Sequence, residues 1–265
     1  MSNPEIAIVN TRHGRMWIPI KDRYIGRSLD FYGEYSELEV KVFEQVLRPG
    51  MWALDVGANI GAFTLPMAKF VGAEGRVFAF EPQPEIFEIL RCNCGVNGVN
   101  NAILLNAAAG NRSGEIDLPN VNYAVDGNFG GVGLGEGLRK ASVATIDGLN
   151  LPRCDFMKVD VEGMELEALE GAEETIQRFR PIIYVENDRK EKSAALISFL
   201  LANGYDLRWH VPLLFNPDNF AGEHSDLWPG LGSVNMLCVP SEYKIEIRGF
   251  DDVDGPDDRP PGLKE

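Results

Sequence analysis

The amino-acid sequence predicts an α/β fold: a doubly wound parallel sheet of seven strands, the seventh running antiparallel, behind an N-terminal hairpin and helix. Three observations carry that expectation. Beyond residue 50, short apolar runs alternate with longer stretches of helical periodicity. A glycine turn, Asp55-Val56-Gly57-Ala58-Asn59-Ile60-Gly61, leaves the first run and opens the first helical stretch. Acidic side chains recur where strand runs end, at Glu81, Asp160, Glu162 and Glu186.

Residues 5–20 read as a hairpin turning at Arg12 to Gly14, and Ser36-x-x-Glu39 reads as a capping box for a helix reaching Leu47. Met51 to Val56 is the first buried strand, followed by a helix over Ile60 to Val71, in which Pro66 predicts a kink. Arg76 to Phe80, Ala102 to Asn106, Asp155 to Val161, Pro181 to Val185, Tyr205 to Val211 and Val234 to Val239 are the other six strands. Helices fall at Pro84 to Val96, along the Leu166, Leu169, Ala172, Ile176, Phe179 face, and at Lys190 to Asn203, closed by Gly204. Two long stretches interrupt the alternation and are expected to be substrate-side loops. One is 107–150, with a strand signal at Glu115 to Leu118 and six glycines from Gly127 to Gly137; the other is 212–233. No helix follows the sixth strand, so the seventh returns antiparallel and the second loop lies at the carboxyl edge, where ligands of open α/β sheets bind.

A net charge of −15 argues against a nucleic-acid binder, since that affinity rests on Lys and Arg neutralising phosphates. One domain is expected over residues 1–248. Residues 249–265 carry −4 of the total, are rich in Pro and Gly, and are expected to form a disordered or loosely docked acidic tail. The four cysteines lack zinc spacing and read as reduced structural thiols. With neither a signal-peptide pattern nor an apolar run of membrane-spanning length, the expectation is a soluble, cytoplasmic protein. Oligomeric state is left open.

Glycines at a strand-to-helix turn let a ligand approach the backbone, and the helix N–H groups accept an anion. Glu81 ends the second strand 24 residues after Gly57, where a carboxylate can accept both hydroxyls of an adenosine ribose. A dinucleotide fingerprint would require glycine at position 59, so Asn59 disfavours NAD and an oxidoreductase. Asp55, just before the turn, places negative charge near a ligand bearing an ammonium and a sulfonium, a description that S-adenosylmethionine fits.

The segments DVGANIGAFTLPMAKFVGAEGRVFAFEPQPEIFEILRCNCGVNG and DFMKVDVEGMELEALEGAEETIQRFRPIIYVEN resemble the FkbM family of S-adenosylmethionine-dependent methyltransferases over about residues 30–240. The resemblance implies a class I methyltransferase (Rossmann-like) sheet and methylation of a hydroxyl on a small-molecule, sugar or polyketide-like acceptor. It implies that Asp55, Gly57, Ala58, Asn59 and Gly61 surround the methionine part, that Glu81 and Pro82 meet the ribose, and that Asn106 and Ala107 face the adenine. Asp160 joins the cofactor set at the methyl end. Asp160, Glu162 and His210 are the candidate catalytic bases. Asp160, Glu186 and Asn187 are similar to the metal-binding arrangement of catechol-type O-methyltransferases and are candidates for holding Mg²⁺; the alternative is that they cap helices and bond backbone at the sheet rim. Phe215, Phe220 and Trp228 either form an acceptor pocket or anchor their loop. Gly33, Glu34 and Tyr35 are expected to help cover the cofactor. A non-catalytic module that keeps the cofactor fold is the alternative from another class.

Overall fold

In a computed structural model describing residues 3–135, 137–243 and 248–260, β1 (Ile6–Thr11) and β2 (Gly14–Pro19) form an antiparallel hairpin. A short helix that the sequence did not announce, α1 (Ile25–Phe31), precedes α2 (Glu37–Val46). The expected capping box takes another form. Ser36 sits at the N-cap in the left-handed region and makes no side-chain bond to the helix backbone; its Oγ instead donates to Glu39 Oε1 at 2.6 Å.

The sheet then begins with β3 (Trp52–Val56), α3 (Thr64–Val71), β4 (Arg76–Phe80), α4 (Pro84–Val96) and β5 (Ala102–Leu105). Because α3 starts four residues later than expected, Pro66 falls in its first turn, where an N–H has no intrahelical acceptor to lose. The kink expected there has no cause.

The stretch over 107–150 is not only a loop. β6 (Ala108–Ala109), β7 (Gly114–Leu118) and β8 (Arg139–Ala144) form a separate three-stranded sheet, in the order β6-β8-β7. Beyond it come β9 (Phe156–Val159), α5 (Glu165–Glu170), α6 (Glu173–Phe179), β10 (Ile182–Glu186), α7 (Lys190–Ala202), β11 (Tyr205–His210) and β12 (Asn235–Pro240). The helix read as continuous is broken between α5 and α6. A Cβ at Gly171 would lie 2.0 Å from the Gly110 carbonyl oxygen, so the break lets the two backbones touch.

Of the acidic terminal segment, expected over 249–265 as disordered or loosely docked, residues 261–265 lie outside the described residues and the part before them is docked. Rather than trailing free, β13 (Asp251–Asp252) pairs antiparallel with β11, and Trp209 Nε1 donates to Asp258 Oδ2 at 2.9 Å. Val253 packs on the main core. The main sheet thus has eight strands, ordered β13-β11-β12-β10-β9-β3-β4-β5. The bonds joining β10, β9, β3, β4 and β5 are parallel, and β12 runs antiparallel to both neighbours.

Both faces are covered, which is why the central strands read as apolar runs rather than alternations. Leu54, Val56, Met157 and Val185 pack beneath Ala168, Ile176 and Leu196. Ala53, Val77, Phe156 and Tyr184 pack against Phe43, Met67 and Val71. The four cysteines are unpaired. Among the described residues no helix is long and apolar enough to cross a membrane.

Candidate active site

Parallel register brings Val56, Phe80, Leu105 and Val159 to one edge of the sheet, and the turns that leave these strands wall a cavity of about 500 Å³. Gly57, Ala58 and Asn59 form its floor, Glu81, Pro82 and Gln83 one end, and Asp160, Glu162, Glu186 and Asp188 the other. Ala107 lines it between them; residues from the 119–138 stretch and Leu214, Leu231, Gly232 and Ser233 close the top.

The glycine turn is shaped by a close approach. Gly57 has φ +82°, and a Cβ there would stand 1.8 Å from the Asp160 carbonyl oxygen, so the β3 and β9 turns touch backbone to backbone. Asn59 adopts φ +49°, which asparagine tolerates better than most residues. Its N–H donates to Glu81 Oε2 at 3.0 Å, while Gln83 N–H donates to Glu81 Oε1 at 2.7 Å. Each carboxylate oxygen is oriented by one amide and keeps lone pairs for a ligand. Burial pushes the Glu81 carboxyl up from 4.5 to about 7, against the pull of those two amides. Gln83 is fixed in turn: its Nε2 donates to Phe129 O, and its Oε1 accepts from Tyr123 OH at 2.9 Å. That pair tethers the glycine-rich stretch to the cavity.

Asp55 does not reach the cavity wall. Fully buried, its Oδ2 accepts from Thr64 Oγ1 at 2.6 Å, and Oδ1 faces Lys158 Nζ at 3.5 Å. Gly61 lies outside the walls as well, and Asn106 braces them, donating to Glu81 O at 2.9 Å. Lys158 is the wall residue that sequence reasoning passed over. It is 2% exposed, its Nζ donates to Gly57 O at 2.9 Å, and Asp160 Oδ2 is 3.3 Å away. Burial disfavours its charge, but Asp160, Asp55 and Glu39 outweigh that and hold its pKa above the usual lysine value. A charge inside the apolar run Phe156 to Val159, directly opposite Asp55 in the register, was the available signal.

At the far end, oxygens of Asp160, Glu162 and Glu186 lie within 4.8 Å of one another. Burial, then Asp160, pushes Glu162 up to about 7, although Arg189 Nη2 holds its Oε2 at 2.5 Å. Glu186 is pushed well above the carboxylate range by burial and by Asp160, and its buried Oε2 has no hydrogen-bond partner among the described residues. Of the metal set expected from Asp160, Glu186 and Asn187, the two carboxylates meet here, joined by Glu162, while Asn187 lies outside the cavity walls with its amide nitrogen donating to Met236 Sδ.

His210 is likewise no base for this cavity. It lies outside the walls, its Nδ1 is 2.7 Å from Tyr184 OH, its ring packs on Phe250, and burial lowers its pKa to about 4. Phe215 and Trp228 pack on Tyr32 rather than lining the cavity, and Phe220, half exposed, lies against Gly33. Of the two readings of these aromatics, loop anchoring is the one observed. Tyr35 lines the cavity, whereas Glu34 clamps the loop, accepting from Arg12 Nε, Asn216 Nδ2 and Phe220 N at 2.7 to 2.9 Å.

Residues 55–207 match the family model described as the methyltransferase FkbM domain. The chain is 29% identical over 187 residues to the hexuronic acid methyltransferase AglP of Haloferax volcanii, covering 68% of this chain and 73% of that protein. It is 28% identical over 156 residues to the methyltransferase sdnD of Sordaria araneosa, 46% of this chain and 60% of that protein's length. Among solved structures, the precorrin-6y C5,15-methyltransferase of Geobacter metallireducens superposes with a TM-score of 0.50 at 15% identity, over 76% of this chain and 86% of that one; the likeness is one of fold.

Proposed function

The chain belongs to the FkbM methyltransferase family, and from that premise we propose that it transfers the methyl group of S-adenosylmethionine to a hydroxyl oxygen of a small polar acceptor. The observation that carries the reading is a single cavity joining Glu81, already oriented by two amides, to a carboxylate cluster at the opposite end. The residues suit the donor chemically. A vicinal diol matches the free lone pairs of Glu81, and a cationic sulfonium matches the acidic end. Gly57, Ala58, Asn59, Glu81, Pro82, Gln83, Ala107 and Asp160 would hold it.

Bound donor supplies an activated methyl group, so the chain's own work is alignment and proton removal. Glu162 is suited to the second task. A carboxyl raised to about 7 is half ionised near neutrality, and with Oε2 held by Arg189, Oε1 takes the acceptor's proton. Asp160, beside it, keeps the proton-accepting end negative. No step needs Mg²⁺: Asp160 is ion-paired with Lys158 and Glu162 with Arg189. The wall carboxylates also oppose a phosphate backbone, which favours a small molecule over nucleic acid.

Isothermal titration of the full chain with S-adenosylhomocysteine is the test, followed by transfer of labelled methyl groups to a panel of neutral polyhydroxyl acceptors. A wild-type protein that binds neither product nor donor would refute the reading. Titration with a nicotinamide dinucleotide should show no binding. Donor binding without transfer to any hydroxyl would favour the non-catalytic module instead.

A further inference from the structure

Lys158 interrupts a strand whose other residues, Phe156, Met157 and Val159, are buried and apolar. Replacing a buried ion pair by well-packed apolar residues is often neutral or stabilising, so the fold by itself does not require a charge at this place. The position of that charge is specific. Nζ is tied to the Gly57 carbonyl and stands between Asp55 and Asp160, 5.2 Å from the centre of the Phe63 ring. Gly57, Phe63, Asp160 and Lys158 itself all face the cavity. The walls' other cation, Arg189, is committed to Glu162 and Asp188 at the acceptor end. Lys158 is therefore the counter-charge beneath the glycine turn.

The methyl donor and its product differ by one positive charge, on sulfur. A partly desolvated pocket walled by carboxylates binds the cation better than the neutral thioether, and each charge in the wall shifts that preference. We propose that Lys158 is a positioning residue of the methyl-donor site: it holds the Gly57 turn and Asp160 together, and its ammonium limits how far the pocket prefers the cationic donor over the neutral product. The inference rests on the donor assignment above. Its consequence is that donor and product bind with more similar affinities than the wall carboxylates alone would allow.

The test is calorimetric titration of the full-length chain with S-adenosylmethionine and with S-adenosylhomocysteine, for wild type, Lys158→Met, Lys158→Arg and Asp55→Asn, each checked for folding by circular dichroism. The readout is the ratio of product Kd to donor Kd, which a merely structural defect lowering both affinities would leave in place. In Lys158→Met the ratio should rise on the order of tenfold, the effect of one charge acting over about 10 Å at an effective dielectric near 20. Lys158→Arg should keep the wild-type ratio. Asp55→Asn, which frees Lys158 from a partner outside the cavity wall, should lower it. A folded Lys158→Met with a ratio within about twofold of wild type overturns the proposal. If that variant does not fold, an unchanged ratio in Asp55→Asn does so. Wild type failing to bind either ligand removes the donor assignment itself, a different outcome from an unchanged ratio.

Discussion

Affinity for the adenosine ligand should depend on pH through Glu81. Burial raises this carboxyl from 4.5 to about 7, while its two oxygens accept from Asn59 and Gln83. Ribose hydroxyls donate to the ionised form, so binding favours deprotonation. A group titrating near 7 is about one-tenth ionised at pH 6 and about nine-tenths at pH 8. The affinity for S-adenosylhomocysteine should therefore rise roughly tenfold across that interval. Glu81→Gln removes the titration and turns an amide donor toward one of the two N–H groups. It should weaken binding at pH 8 by about 1.5 to 3 kcal/mol, or about 10- to 150-fold. Folding should respond in the opposite sense. The native state keeps a proton that the unfolded carboxyl releases above its own value of 4.5, so Glu81's contribution to stability is complete below that pH and is lost as pH rises through about 7. Calorimetric titration at pH 6, 7 and 8 with both proteins is decisive. A flat wild-type profile, or the same slope in Glu81→Gln, would show that another group, Glu162 foremost, governs the dependence.

Four further outcomes follow from the geometry. Gly57→Ala must adopt φ +82° and clear a carbonyl 1.8 Å away; the left-handed conformation alone costs about 1 to 2 kcal/mol. Denaturant melts should show at least that loss together with loss of product binding, and a wild-type melt would mean the turns are not in contact. Glu34→Ala deprives Arg12, Asn216 and Phe220 of an acceptor; a drop of about 2 to 4 kcal/mol and faster proteolysis within 212–233 are expected, and an unchanged cleavage rate would contradict the clamp. Ending the chain at Arg248 removes the β13 pairing, the Trp209 to Asp258 bond and the Val253 contact. Stability should fall by about 1 to 3 kcal/mol with S-adenosylhomocysteine affinity intact, and weaker binding would tie the tail to the site. Methyl transfer should continue at full rate in EDTA, because the cluster carboxylates Asp160 and Glu162 already have cationic partners; activity lost to chelator and restored by Mg²⁺ would reverse this.

The central strands were legible because they are covered on both faces and therefore run apolar without interruption, and because Gly57 and Gly61 punctuate the first strand-to-helix passage. Glu81 was legible from its place alone. What escaped depends on contacts between segments distant in sequence. β8, reading RKASVA, has no strand pattern strong enough to compete with its polar letters until β6 and β7 pair with it. The break at Gly171 exists for the backbone of Gly110, 61 residues earlier. β13 is acidic and poor in apolar residues, yet Trp209 supplies the donor that docks it. Asp55 and His210 were assigned by their proximity to strand ends. Asp55 is engaged by Thr64 and Lys158 and His210 by Tyr184, partners not visible in one sequence, and neither side chain lines the cavity.

The 212–233 segment is sealed at its base before it begins to wander. Leu213 bridges Gly232, Leu214 N–H bonds Leu231 O at 2.9 Å, and Ser233 N–H returns to Pro212 O. The stem closes the sheet end by itself, while the interior is fixed separately on Glu34 and Tyr32, so the β11 to β12 pairing and the course of the loop are held by different sets of bonds. The residues of this segment that reach the cavity, Leu214, Leu231, Gly232 and Ser233, all belong to that stem, so the segment meets the cavity with its most constrained part and not with its tip.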